Sequence, residues 1–150
     1  MTEKKKALNE DASWKDVIDA CGKRPNEWTE TERGRIAAFV AANRALILEL
    51  RRLAESGGPF YQLDYSKGYL MELPHLAPLR DLTRMLAADA AISAGAGNYA
   101  EAVDDLIAGI KLASVLDREP LIISQLVRFA MDGILFGAID GGIRGEDIPP

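Results

Sequence analysis

The feature that most constrains this chain is an apolar residue every three or four positions, broken at intervals by Gly and Pro. That period belongs to helices with one buried face. The plainest case starts at Thr29, which with Glu32 forms a capping box. Ile36, Phe39, Val40, Leu46, Ile47, Leu50 and Leu53 then keep the period, with Asn43 in the same seam, until Gly57-Gly58-Pro59. The spacing predicts one unbroken long helix here.

The rest of the chain reads the same way. Residues 1–12 are polar and predict a flexible tail. A short helix over 13–21, N-capped by Ser13, places Val17, Ile18 and Cys21 on one face. A third helix is expected over about 76–94, with Leu76, Leu79, Leu82, Leu86 and Ala90 inward. The turn Gly95-Ala96-Gly97-Asn98 leads to a fourth, about 99–116, with Tyr99, Ala102, Val103, Leu106, Ile110 and Ala113 inward. Pro120 opens a fifth, where its missing N–H is harmless, and Gly141-Gly142 closes it. Residues 60–74 break the pattern; Phe60–Tyr65 and Gly68–Leu73 could pair as strands, but an ordered aromatic loop is the better reading. The expected fold is all-α: antiparallel hairpins in a single domain over 13–142, with 143–150 a loop that could lead into a further helix.

Composition supports this. A chain of 150 residues, 48% hydrophobic, is long enough for a real core and too apolar for a disordered tail. One Cys excludes an intramolecular disulfide framework and a Cys-based zinc site, and no cofactor motif is present. The net charge of −5 and pI near 4.9 argue against nucleic acid. The first 75 residues balance 12 Lys/Arg against 12 Asp/Glu; the second 75 hold 6 against 11. The basic start lacks the apolar run of a secretory signal, which favours a cytoplasmic protein. The most apolar stretch, 121–139, contains Arg128 and Asp132, each costing about 2.5–3.5 kcal/mol at a membrane's centre. It is therefore expected to be the buried central helix of a soluble bundle.

Two resemblances add to this. Gly97-Asn98-Tyr99, followed by Ala102 and Leu106 and then Pro120, resembles the second half of a tetratricopeptide repeat, with Ala102 the small position and Leu106 the large one. Leu86, Asp89, Ala90 and Ser93 fit the first half less well, so about 40 residues form one degenerate unit. Leu73-Pro74-His75-Leu76, Gly97-Asn98 and Pro120-Leu121-Ile122-Ile123-Ser124-Gln125-Leu126-Val127-Arg128 are similar to uncharacterised helical proteins of environmental bacteria. That resemblance implies a bacterial helical-repeat fold and offers no catalytic residues.

Candidate site residues are few. Ser124, Arg128 and Asp132 are spaced i, i+4, i+8 on the fifth helix, beside Gln125. Arg128 could pair with Asp132 or Asp89, or receive a carboxylate or phosphate. His75, the single histidine, with Arg80 and Arg84 could form a small basic patch; capping and surface pairing are the plainer readings. Glu101, Asp104 and Asp105 are expected to face water. Tyr61, Tyr65 and Tyr69 could rim a peptide-binding surface or simply bury their own rings. Gly133, Gly137 and Gly141 form a small-residue track that would admit the second helix or a second copy of the chain. The leading expectation is a non-catalytic protein-interaction or scaffold module, binding a protein or peptide on the concave side of the third to fifth helices. The alternative is a domain for a small anionic ligand around Arg128, Gln125 and His75, and an enzyme comes third.

Overall fold

The computed structural model describes residues 14–57 and 61–142. The described residues form six α-helices and no strand. They are α1 (14–21), α2 (Glu30–Ala42), α3 (Arg44–Glu55), α4 (Leu76–Gly95), α5 (Tyr99–Ser114) and α6 (Ile122–Gly142). Short 3-10 segments span Pro25–Glu27, Tyr65–Leu70 (kinked at Gly68, φ 52°) and Val115–Arg118. Residues 60–74 are thus a loop with a 3-10 turn wherever they are described. Ser13, Phe60, the 1–12 tail and the 143–150 loop lie outside the described residues.

The expected long second helix is two helices. Thr29 does close its capping box: its hydroxyl accepts from Glu32 N–H, and Glu32 Oε2 accepts from Thr29 N–H at 2.9 Å. The break is at Asn43, whose backbone leaves the helical region (φ −104°, ψ 18°). Its side-chain amide donates to the Phe39 carbonyl at 2.8 Å, competing for a helical acceptor in the way that Asn does. The break re-aims the apolar stripe. Ile36 and Val40 are buried from α2, and Ile47, Leu50 and Ala54 from α3; Leu46 and Leu53 face outward.

The hub is α4, with twelve of its 20 residues buried. Ala87, Ala88, Ala90, Ala91 and Ala94 make it narrow, so neighbouring backbones approach closely, while Leu79, Met85 and Leu86 fill the space between. The α4–α5 turn ends in a Schellman motif: Asn98 N–H donates to Ser93 O at 2.8 Å, and Gly97 N–H to Ala94 O at 2.9 Å. Gly97 sits at φ +82°, which a side chain would strain.

Beside this hub α5 buries its small face: Ala102, Asp105, Leu106, Ala108, Gly109, Leu112 and Ala113. The expected inward residues Val103 and Ile110 point out. The reason is proximity. A Cβ on Gly109 would stand 2.5 Å from Leu135 Cδ2 of α6, so this interface has no room for β-branched side chains. The central position expected for 121–139 is also corrected. Helix α6 packs one face inward, through Ser124, Met131, Leu135 and Ala138, and leaves its opposite face exposed.

Candidate functional site

Three of the sequence-predicted residues meet around a fourth that sequence reasoning missed. Glu119 ends the 3-10 turn after α5; the following Pro120 holds it extended (φ −93°, ψ 110°). Its carboxylate accepts from His75 Nε2 at 2.7 Å and from the Ser124 hydroxyl at 2.5 Å. All three residues are buried. Gln125 Nε2 donates to the carbonyls of Leu116 (2.8 Å) and Glu119 (2.9 Å). The Tyr61 ring stacks on His75, centroids 4.2 Å apart.

This order of groups has a chemical consequence. A Ser-His-carboxylate triad needs the imidazole between hydroxyl and carboxylate, to take the hydroxyl proton. Here the carboxylate is in the middle and Ser124 does not touch His75. The cluster ties the 61–75 loop, the start of α4 and the first turn of α6 together, and the Glu119 carboxylate is answered from both sides. Tyr61 and Tyr65 remain about half exposed, and Tyr61 stands with Leu63, Met71 and Pro74 along a shallow hollow. Of Tyr69, only its place in the 3-10 turn is described.

The remaining predicted residues lie elsewhere. Arg128 does not pair with Asp132 or Asp89; its Nε lies 2.6 Å from Asp117 Oδ1. Four residues along a helix are 400°, so each i+4 step rotates about 40°. Ser124 therefore points inward, whereas Arg128 and Asp132 stand progressively towards the side of α6. Nor does a basic patch form. His75 is sealed against Glu119, Arg84 bonds to Asp19 (2.9 Å) and Asp81 (3.3 Å), and Arg80 stands 3.9 Å from Asp81. Cys21 is a core residue; burial pushes its thiol up to about 12, against the nearby Arg84, so it is no ready nucleophile.

The acids expected to face water include one that does not. Asp105 is fully buried, and its Oδ1 accepts from Arg51 Nε at 2.7 Å. Arg51 also donates to the Glu101 carbonyl (3.2 Å) and stands 3.9 Å from Asp89. Arg44 joins Asp89 (2.7 Å) to Glu101 (2.8 Å). The network clamps α3 onto α4 and α5. Burial pushes the Asp105 carboxyl up to about 7; the Arg51 bond opposes this, and the Asp89 carboxylate beside it adds to it. Asp105 Oδ2 has no partner; a proton there would give it one in Asp89. The sequence held a signal for this: Arg44 and Arg51 are seven apart and flank buried Ile47 and Leu50 on one face.

Helix α5 turns Val103, Ile107 and Ile110 outward, and Trp14, Leu46 and Leu82 line an apolar hollow against α4; the most exposed apolar surface among the described residues is the outer side of α6. Ile122 (82% exposed), Leu126 (57%), Phe129 (62%) and Phe136 (67%) lie along it, with Gly133 between the two rings. The spacing 122, 126, 129, 133, 136 alternates four and three, the heptad interval of a helix-pairing seam. The glycine track divides here. Gly141 and Gly137 pack on the 3-10 turn, where added Cβ atoms would stand 2.9 Å from Pro25 and 3.5 Å from Arg24, whereas Gly133 faces open space. Beside the seam lies a hollow of about 510 Å³, lined by Arg24, Gly133, Phe136, Gly137, Ile139 and Asp140.

Among the described residues no group of three His, Cys, Asp or Glu side chains is placed to hold a metal. In comparisons with known proteins, no family model matches the chain, and neither a curated protein nor a solved structure matches it.

Proposed function

We propose that the protein is a non-catalytic docking module that receives a helix of a protein partner on the outer seam of α6. The observation that carries this reading is the 4-3-4-3 spacing of Ile122, Leu126, Phe129, Gly133 and Phe136 on an exposed face. Contiguous exposed apolar patches of several hundred Å² mark interaction sites. Heptad spacing narrows the occupant to another helix. The α4–α5 hairpin, with its Gly97 turn, is compatible with a tetratricopeptide-like scaffold, in which helix hairpins present such surfaces.

This moves the binding surface from the concave side of the third to fifth helices, with its tyrosine rim, to the outside of α6. A small anionic ligand is less well supported, because Arg128, Gln125 and His75 already meet Asp117, two carbonyls and Glu119. By length and composition α6 could cross a membrane. Its inner face, however, carries Ser124 bonded to Glu119 and Leu135 seated against Gly109, contacts that favour its staying on the domain. The seam is also flanked by Asp132 and Asp140, which does not suit an anionic lipid surface.

The test is site-specific photo-cross-linking of the full chain in cells, from position 126 or 136 and, as a control, from position 107 on α5. A discrete protein adduct from α6 and none from α5 is expected. Lipid adducts alone, or no adduct from α6, would refute the reading.

A further inference from the structure

We infer that the helix received by the α6 seam is α6 of a second copy of this chain, packed antiparallel; the inference rests on the docking reading above. The seam is complementary to itself. It carries both a protruding ring, Phe129, and the glycine-floored hollow between Gly133 and Gly137. An antiparallel pair crossing near residues 131–133 brings Phe129 of each copy to the Gly133–Gly137 hollow of the other. The same register lays each Phe136 over Leu126 and Ala130 of the other copy. Large therefore meets small twice, as a two-fold interface requires.

The area is at the threshold. Ile122, Leu126, Phe129 and Phe136 are half to four-fifths exposed. At on the order of 100–150 Å² each they offer about 500 Å² per copy, about 1,000 Å² for the pair, the size at which a specific interface begins. Two features oppose the pairing: Asp132 lies at the rim near the two-fold axis, so the two copies' carboxylates approach each other, and Asp140, the next position along the seam, falls opposite Ile122 and Leu126 of the other copy.

Sedimentation of the full chain over a range of concentrations tests this. The wild type is expected to pass from 16.3 kDa to twice that mass in the micromolar range. Gly133→Leu fills the hollow, and in the isolated chain its Cβ meets nothing within 4 Å. It should weaken the dimer at least about thirtyfold while leaving the helical circular dichroism intact and the Tm of the monomer no lower. Phe129→Glu should do the same, and Asp132→Asn should tighten the dimer a few-fold. A wild type that stays monomeric at about 200 µM, or a dimer unmoved by Gly133→Leu and Phe129→Glu, overturns the proposal. In that event a discrete adduct from α6 to a different protein leaves the docking reading standing, whereas no protein adduct ends both.

Discussion

The two longest helices, α4 and α6, differ in the opposite sense from their sequences. Helix α6 is the more apolar, yet it lies at the edge with Phe129 and Phe136 in solvent. Helix α4 carries Arg80, Asp81, Arg84 and Asp89, yet it is the hub. The difference is one of size. Five alanines within eight residues give α4 a waist that α5 and α6 can approach, and its charges are met by Asp19, Arg44 and Arg51. The large side chains of α6 can be buried on one side only, because the domain supplies one neighbouring layer. Hydropathy says how much surface a helix would gain by burial; the number of neighbours decides whether that burial occurs.

The sharpest way to break this comparison is a matched pair of truncations. Leu86→Ala in α4 should lower stability by about 2–5 kcal/mol, since the site is closed on every side. Leu126→Ala in α6 should change the monomer by less than about 0.5 kcal/mol. Urea unfolding at low concentration, where no dimer forms, measures both. Equal losses would mean that α6 is covered in the monomer.

The clamp that holds α3 to the hub gives a pH dependence. The Asp105 carboxyl is raised from 3.8 to about 7, so the folded chain holds a proton there that the unfolded chain has already released. Its contribution is fully present below the unfolded value and is lost as the pH rises through about 7. Asp105→Asn should flatten the fall in stability between about pH 4 and 7. An unchanged slope would place the titrating group elsewhere. Glu32 acts in the other direction. The Lys23 bond, with the Thr29 N–H, lowers it to about 2, so its contribution is lost as the pH falls towards that value.

The smallest effect is the most local. Gly133→Ala should stabilise the monomer by up to about 1 kcal/mol, because Ala is the better helix former and the space is open. Gly109→Ala should destabilise it by a comparable or larger amount, because its Cβ would strike buried Leu135. Tm measured on both variants checks the sign, and like signs would remove the close α5–α6 approach.

Much of the fold was legible because it rests on local rules. The Thr29–Glu32 box, the stop at Gly57, the Gly97 turn and the start of α4 near Leu76 depend on backbone sterics and capping within a few residues. The site was less legible. His75, Ser124 and Gln125 could be singled out as polar residues in apolar surroundings, but Glu119, which joins them, lies 44 residues from His75 in a turn with no period. Asp105 is illegible because placing the larger Val103 and Ile110 inward turns it towards water, whereas the structure buries the small face of α5.

What the sequence by itself determined is an all-α chain and its helix boundaries to within a residue or two at most ends. What only the tertiary structure decided is which helix is the centre, which face of α5 and of α6 is inward, and which acid each arginine meets. The physical reason is that helix formation is fixed by neighbours in sequence, whereas facing and pairing are fixed by which side chains are small enough to let another backbone approach.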